Sequence, residues 1–561
     1  MKITLSSFGG IVPRAPDHRL AEVQARLAHN CKLRNGILEA WREPCFYKDV
    51  PASARSLYMY GCCLYTWDNV VTVAEVSPDY ARVFVAGNTE KPQVMVRSSC
   101  CDMDTYYLGV PQPTDPPHAS CEEACVREAD FRNYVYTYIN KWGEESAPSP
   151  ASNTVLTADG VPVSVTNIAL PPDGYGIVGA NIYRAVTGFR EVNAKQQTPL
   201  TDYVFIDTIY FPTTTYTDTV TMDSVGMILD TGEVCLPPDG LQNITSIEST
   251  VRLAGSVANR IYMTENFQPY NWPVKYQLTL DSGIVHMKNF DQRLFVSTST
   301  TPYVIDVSSC DDTKCMPVED VGVPLPDISC GHYNSAIMTP FGMVYSSPLG
   351  AVLINAAAKW TLLTAKWFSE DDWKQMAPDT ARFEYWEGYL FIVTDRASFL
   401  LDIDGDPYGD AKLGELSTIS DAPIAMHRTN TGQLLLMQDG KVTIWNQGAE
   451  YRPYEWESRE LTSPDHTITA AGKNYLVPPT DDSTLGCQFS PAALRVRSVL
   501  THVSLINPRD KVVYERNISD GRTVRLPKVG RHMFYRLKFQ GTEPVEYADM
   551  GTAVITTTKG A

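Results

Sequence analysis

The sequence predicts an all-β protein: a β-propeller-like core with an inserted fibronectin-III/Ig-like β-sandwich and a C-terminal β-domain. Three observations predict it. Between about Ala258 and Gln447 one phrase recurs, an apolar run, a tight turn and a second apolar run. It reads 291-DQRLFVSTSTTPYVIDV-307, 341-FGMVYSSPLGAVLIN-355, 387-EGYLFIVTDRASFLLDI-403 and 431-TGQLLLMQDGKVTIWN-446, with starts 50, 46 and 44 residues apart. That interval fits a four-stranded propeller blade, a unit that cannot cover its own apolar face and must stack on its neighbours. Second, 30 Tyr, 18 Phe and 10 Trp with 38 Pro and 35 Gly favour many short strands joined by turns over long helices. Third, period-2 alternation recurs outside the repeat, between about Phe131 and Asp218 and again after Trp456.

Along the chain, residues 1–50 form an N-terminal extended or docking segment. It opens on Phe8-Gly9-Gly10-Ile11-Val12-Pro13, and the apolar spacing of Leu20, Val23 and Leu27 predicts a short helix from Asp17, with Asp17 as its cap. Residues 51–110 hold a first blade region, where 57-LYMYGCCLYTWDNVVTVAEV-76 reads as a hairpin turning at Asp68-Asn69 and 82-RVFVAGNTEKPQVMVR-97 as a second pair. Four prolines between Pro111 and Pro117 mark a linker.

The inserted module occupies 118–225. Its strands are expected near Phe131, Val161–Ile168, Gly179–Val186, Tyr203–Ile209 and Thr214–Asp218, and without the paired cysteines of an antibody-type domain the fibronectin-III-like sandwich is the closer reading. The main blades run over 235–450. One helix is expected within them near Ser369–Gln375, where Ser369 and Asp372 form a capping box with Asp in place of Glu. A C-terminal β-domain fills 451–561, its strands alternating with charges on one face.

Charge excludes one class of function. With 65 acidic against 47 basic residues the net charge is −18, which opposes a surface that tracks phosphates, since such binding rests on Lys and Arg displacing counterions. A wall past which nucleic acid slides without sticking is compatible with that sign. No run approaches the ~18 apolar residues of a membrane span, and the start Met1-Lys2-Ile3-Thr4-Leu5-Ser6 has no apolar core of a signal peptide. The expectation is a protein that folds in the cytoplasm where it is made.

Thirteen cysteines, an odd number with neighbours at Cys62-Cys63 and Cys100-Cys101, read mainly as small core residues carrying free thiols. Two groups invite a metal reading, Cys121 and Cys125 beside Cys100-Cys101, and Cys310 with Cys315 and Cys330; neither has paired zinc spacing. Asp402, Asp404, Asp406 and Asp410 follow the alternation of a calcium loop, but Pro407 stands where such a loop needs Gly, so an acidic hairpin loop is the expected reading.

The nine histidines, among them His18, His29, His286, His332, His427, His466 and His532, fall in unrelated contexts. No G-x-S-x-G elbow, H-E-x-x-H helix, G-x-x-x-x-G-K loop or sialidase Asp-box is present. The G-x-G-x-x-G match, Gly174 to Gly179, leads into a strand where a pyrophosphate site needs a helix, and reads as a turn. The sequence thus predicts no catalytic, cofactor-binding or metal-ligating residue, no cofactor and no enzyme.

Several segments carry a family resemblance. The opening with Gly9-Gly10-Ile11, Leu20, Asn30, Leu33, Gly36 and Leu38 resembles that of tail nozzle (tail hub, tail tubular) proteins of short-tailed bacteriophages. The segments 138-YINKWGEESAPSP-150, 237-PPDGLQNITSI-247, 259-NRIYMTENFQPYNWP-273 and 366-KWFSEDDWKQMAPD-379 are similar to related phage structural proteins. The resemblance implies a virion protein, assembled in the host cytoplasm into the tail. It implies a homo-oligomeric ring, a hexamer in that family, with portal or adaptor proteins and tail fibres or tailspikes as partners and viral DNA passing through the lumen without sequence recognition. Not every nozzle carries the inserted sandwich, and an insertion between blades must sit outside the packed scaffold. The alternative function is a propeller glycosidase or a carbohydrate-binding protein acting on host surface polysaccharide.

Overall fold

Each copy of the repeated phrase folds as the second and third strands of a run of four; three of these runs are separate sheets and the third copy's run is continued by further strands. A computed structural model describes residues 2–76, 81–99, 102–121, 129–190, 202–247, 250–309, 313–318, 335–403, 414–462, 473–475, 501–518 and 534–551. The chain divides into two compact units, one of Met1–Val70, Ser299–Val304 and Met316–Ala561, the other of Val71–Thr298 and Ile305–Cys315.

In the second unit, sheet 1 comprises Thr72–Ala74, Arg82–Ala86, Gln93–Arg97 and Met103–Tyr107. Sheet 2 comprises Gln242–Ile247, Arg252–Val257, Arg260–Met263 and Gln277–Thr279, and the strands Ile284–Phe290 and Arg293–Thr298 of this unit begin sheet 3. The first strands of sheets 1, 2 and 3 lie side by side. Phe84 and Val94 of sheet 1 share one buried cluster with Ile244 and Leu253 of sheet 2, so each meander covers its neighbour's apolar face, which a single unit cannot do alone.

The first unit repeats the arrangement. Sheet 4 is Ala336–Thr339, Gly342–Ser347, Gly350–Ile354 and Trp360–Leu362; sheet 5 is Arg382–Trp386, Tyr389–Val393, Ser398–Asp402 and Leu416–Thr418. Sheet 6 takes three strands from Ala425–Arg428, Leu434–Gln438 and Lys441–Ile444, and its fourth, Cys45–Asp49, from near the start of the chain, with Asp49 opposite Lys441 and Cys45 opposite Ile444. The first strands of sheets 4, 5 and 6 and the strand Ser56–Tyr60 are again neighbours. Val344, Leu353, Phe383 and Leu390 pack together, as do Phe391, Leu400, Met426 and Leu436 around Trp41 and Trp445. Full burial of each such side chain contributes about 1.5–3 kcal/mol.

Two expectations near the N-terminus are corrected. The helix predicted from Asp17 is a single 3-10 turn, Asp17–Arg19, whose cap position is Pro16; the Asp17 carboxylate pairs with Arg26 at 2.9 Å. The chain then runs extended as Ala25–His29 between Tyr454–Ser458 and Leu416–Thr418, so pairing on both sides outranks the local apolar spacing. The hairpin predicted to turn at Asp68-Asn69 turns instead at Gly61-Cys62, where Tyr60 faces Cys63 and Gly61 supplies φ +60°, and the strand Thr72–Ala74 belongs to sheet 1.

The ends of the chain meet in sheet 5. Beyond Ala25–His29 and Tyr454–Ser458 the sheet continues through Phe534–Gly541, Thr501–Ile506 and Val512–Ile518, so the C-terminal strands are not a sheet apart. Alternation shows that a strand has one wet face; it does not show which edge the strand joins. The capping box predicts correctly: α1 (Glu370–Gln375) starts at Ser369, whose Oγ accepts from the Asp372 N–H while the Asp372 carboxylate accepts from the Ser369 N–H. Trp373 buries its ring, and its indole N–H donates to Ser347 O at 2.9 Å.

The inserted module, within the second unit, consists of two sheets. One orders Val155–Thr157, Ala129–Asn140, Ile177–Arg190 and Val204–Tyr210; the other orders His118–Ser120, Val163–Thr166 and Tyr216–Asp218. Tyr134, Tyr136, Tyr138, Ala180 and Ile182 of the first share a buried cluster with Ala119, Val163 and Val165 of the second.

Candidate functional site

The most elaborate constellation in the described residues is the seam at which the inserted module meets sheet 1, all of it within the second unit. The chain leaves sheet 1 at Gly109, whose φ is +92°, and returns through Leu236 and Pro237. A Cβ at Gly109 would lie 2.8 Å from Leu236 Cδ2 and 3.0 Å from Pro237 Cδ, so only glycine lets the outgoing and returning segments pass this closely.

The segment 138–150 builds the first half of the seam. Asn140 Oδ1 accepts the N–H groups of Trp142 and Glu144, each at 3.0 Å, closing a turn at Gly143. Glu144, with a side chain about one-tenth exposed, pairs with Arg82 of sheet 1 at 2.6 Å. Glu145 is held by the hydroxyls of Thr137 and Tyr183, the latter at 2.6 Å. Three serines spaced by three then lock onto alternate residues of the strand Ala129–Asn140. The N–H of Ser146, Ser149 and Ser152 donates to the carbonyls of Tyr138, Tyr136 and Tyr134 at 3.0, 2.8 and 2.8 Å. In return the N–H of those tyrosines donates to the three Oγ atoms at 2.9, 3.1 and 2.9 Å. The serine hydroxyl hydrogens are free for this because they go to the next carbonyls, those of Ala147, Pro150 and Asn153.

Cations alternate with rings along the second half. Lys141 Nζ lies 4.0 Å from the Tyr106 ring centroid and donates to Tyr106 OH at 2.8 Å, and the Trp142 ring meets Tyr106 edge-on at 5.4 Å with the Arg82 guanidinium 5.0 Å from its centroid. Lys91 Nζ donates to Tyr175 OH at 3.1 Å and lies 5.3 Å from the Tyr107 ring; the Tyr175 hydrogen bond raises the Lys91 pKa. The Gly174–Gly179 match is a turn entering the strand Ile177–Arg190, as expected. Gly174 sits at φ +90° with its missing Cβ 2.8 Å from the Tyr107 ring, and its carbonyl accepts the Tyr107 N–H at 2.7 Å. The seam's chemistry is packing, cation–ring attraction and ion pairing; its product is a fixed orientation of the module on sheet 1.

The other sequence-predicted features do not converge on a site. Asp402, first of the calcium-like series, is engaged by Arg34, whose Nε and Nη2 each reach a carboxylate oxygen at 3.1 Å while its guanidinium stacks 4.2 Å from the Tyr389 ring. Asp404 to Asp410 lie outside the described residues, as do Cys100, Cys101, Cys125, Cys310 and Cys330 of the two cysteine groups. Cys31, Cys45, Cys62, Cys121, Cys235 and Cys315 are free, and burial pushes the Cys31 thiol up; Cys63 is disulfide-bonded to a partner outside the described residues.

His286 is buried against Ser297 Oγ at 2.9 Å and its pKa is lowered to about 3 by burial, while burial beside the Tyr58 ring lowers His427 to about 4. His332, His466 and His532 lie outside the described residues. Among the described residues no group of three His, Cys, Asp or Glu side chains could hold a metal ion, and no helix is long and apolar enough to cross a membrane.

No family model matches the sequence, and no curated protein matches it. Solved structures to which the chain is similar include WD40 domains. The Pan2 WD40 domain of Neurospora crassa is 8% identical over 67% of this chain and 88% of its own, with a TM-score of 0.28. The RRP9 WD40 repeats, at 8% identity, cover 73% of this chain and 100% of their own with a TM-score of 0.28. The propeller of Doa1, also 8% identical, covers 73% and 97% with a TM-score of 0.26. At scores this low the likeness assigns nothing to this chain.

Sequence reasoning quoted Trp142 and the serine run as a resemblance without seeing what they do. Arg82 and Lys91 lie in the stretch read from sequence only as a strand pair, and Tyr106 and Tyr107 carry no sequence motif. The available signal was the pair of adjacent tyrosines next to Gly109, at the point where the linker prolines begin.

Proposed function

We propose that the chain is a structural subunit of a short bacteriophage tail, a propeller-based nozzle protein that assembles as a ring continuing the portal and adaptor channel. The observation that supports the reading is the seam: in the segment 138–150, one of those resembling phage structural proteins, Lys141, Trp142 and Glu144 tie the inserted module to sheet 1 through Tyr106 and Arg82, while Ser146 and Ser149 brace the module's own strand. A mount of that kind suits an arm that bears load or receives a fibre. The inserted module, a fibronectin-III-like sandwich in this reading, is the appendage. A net charge of −18 suits a subunit lining a passage for DNA, because like charge keeps the polymer from adhering.

The test is mass spectrometry of purified virions from a host expressing the protein, followed by electron microscopy of the tail. Density for six copies below the portal is the expected result; absence of the protein from particles refutes the proposal. Release of reducing ends from host capsule by the purified protein would instead favour a glycosidase, and saturable glycan binding without cleavage a carbohydrate-binding propeller.

A further inference from the structure

A second constellation, unrelated to the seam, lies in the first unit where the N-terminal strand Ala25–His29 meets the end of sheet 5. His29 Nδ1 is 3.0 Å from Thr418 Oγ1 and His29 Nε2 is 3.0 Å from Ser420 Oγ. The proton positions follow from the neighbours. The Thr418 hydroxyl donates its hydrogen to Ala28 O at 3.1 Å, so toward His29 it can only accept, and the imidazole carries its proton on Nδ1. Nε2 is then a bare acceptor facing the Ser420 hydroxyl.

Asn30, in the left-handed conformation at φ +54°, turns its amide onto the same serine. Its Oδ1 accepts the Ser420 N–H at 3.0 Å and its Nδ2 donates to Ser420 Oγ at 2.8 Å. With the Oγ hydrogen directed at Nε2 and one lone pair taken by Asn30, the remaining lone pair belongs to an exposed side chain. We propose that Ser420 and His29 form a nucleophile–base pair, oriented by Thr418 and Asn30, that accepts an acyl group from small activated esters.

In the step proposed, Ser420 Oγ attacks the ester carbonyl carbon and its proton passes to His29 Nε2. The bond to the leaving alcohol breaks and the same proton returns to that alkoxide, leaving an acyl-serine and a free alcohol. Water, activated in turn by His29, hydrolyses the acyl-serine and restores the pair. Three charged groups face the imidazole: Glu455 across the strand pair, and Asp421 and Arg452, which are ion-paired with each other. Desolvation lowers the His29 pKa, with Arg452 acting in the same direction against the two carboxylates, so the ring is neutral at pH 7 and able to take a proton.

The test is covalent labelling of the full chain with a fluorophosphonate. The Oγ–P bond forms, the P–F bond breaks, and fluoride leaves as the hydroxyl proton moves to Nε2. Peptide mass mapping is expected to place the label on Ser420 at least ~100-fold faster than on Ser53 or Ser99, exposed serines whose hydroxyls donate to Asp68 and Asp102 and have no imidazole beside them. His29→Gln should lower the rate by ~10² or more with the thermal melt unchanged. The wild-type rate should rise through one midpoint below pH 6.5 and be level by pH 7.5. That profile decides the matter even where a variant fails to fold, since a purely structural serine would show a rate climbing with hydroxide and no plateau. Labelling of Ser420 at the rate of Ser53, or a rate that climbs without levelling, overturns the assignment.

Discussion

Replacing Asp218 by alanine tests what holds the inserted module together. Asp218 and Arg184 are both fully buried, 2.8 Å apart, and the same carboxylate oxygen accepts the Tyr134 hydroxyl at 2.8 Å while Arg132 Nη1 stands 3.9 Å away. Arg132 keeps Asp130 at 2.9 Å if Asp218 is lost, but Asp218 is the one carboxylate that Arg184 meets among the described residues. Removing one partner of such a pair leaves a buried charge without its counter-ion, which costs about 3–5 kcal/mol. Replacing the three together, as Tyr134→Phe, Arg184→Met and Asp218→Leu, should by contrast cost far less, because it strands no charge and removes only the side-chain partners of the Val220 N–H and carbonyl.

Hydrogen exchange at the amides of residues 134–138 and 180–186 reads the module locally, which matters because a chain of two units need not unfold in one step. Asp218→Ala should accelerate exchange there roughly 10²- to 10³·⁵-fold, at 1.4 kcal/mol per tenfold, and the triple variant far less. If both variants accelerate exchange equally, or if Asp218→Ala changes it less than fivefold, the ionic cluster is not what the module's stability rests on.

Three further outcomes follow from the geometry. His286 and His427 are neutral and buried, with pKa values of about 3 and about 4 against 6.5 when unfolded, so the unfolded state binds more protons below pH 6.5 and stability falls as pH drops through that window. Each should cost about 2 kcal/mol at pH 5, and denaturation of His427→Phe should show a visibly flatter acid limb. Gly174→Ala places a Cβ 2.8 Å from the Tyr107 ring at φ +90°, and should cost about 1–3 kcal/mol, measured as faster proteolysis at the seam. Ser369→Ala removes the N-cap of α1 and should lower stability by about 0.5–2 kcal/mol in urea denaturation, with Ser369→Asp restoring most of it.

Where the determinants are contiguous, the sequence is readable. Apolar run, turn and apolar run lie within about seventeen residues, and each copy became the two middle strands of a sheet; the capping box of Ser369 and Asp372 is likewise local. Outer strands escape notice because they are short and half-buried, as in Trp360–Leu362. Cys45–Asp49 gives no alternation at all, being exposed at every position, so its place in sheet 6 follows only from the edge that Lys441–Ile444 offers. The serines at 146, 149 and 152 match neither the helix nor the strand period, because they pair in steps of three against a strand that steps by two. His29 and Ser420 stand 391 positions apart, beyond any motif of fixed spacing.

The borrowed fourth strand of sheet 6 sets an order of events at the ribosome. Asp49 finds Lys441 across 392 intervening steps of chain (441 − 49), so at about 5–20 residues per second the early segment waits roughly 20–80 s before its docking edge has been synthesised. Throughout that interval its local partners are those of the next hairpin, where the Tyr47 hydroxyl reaches Cys62 O.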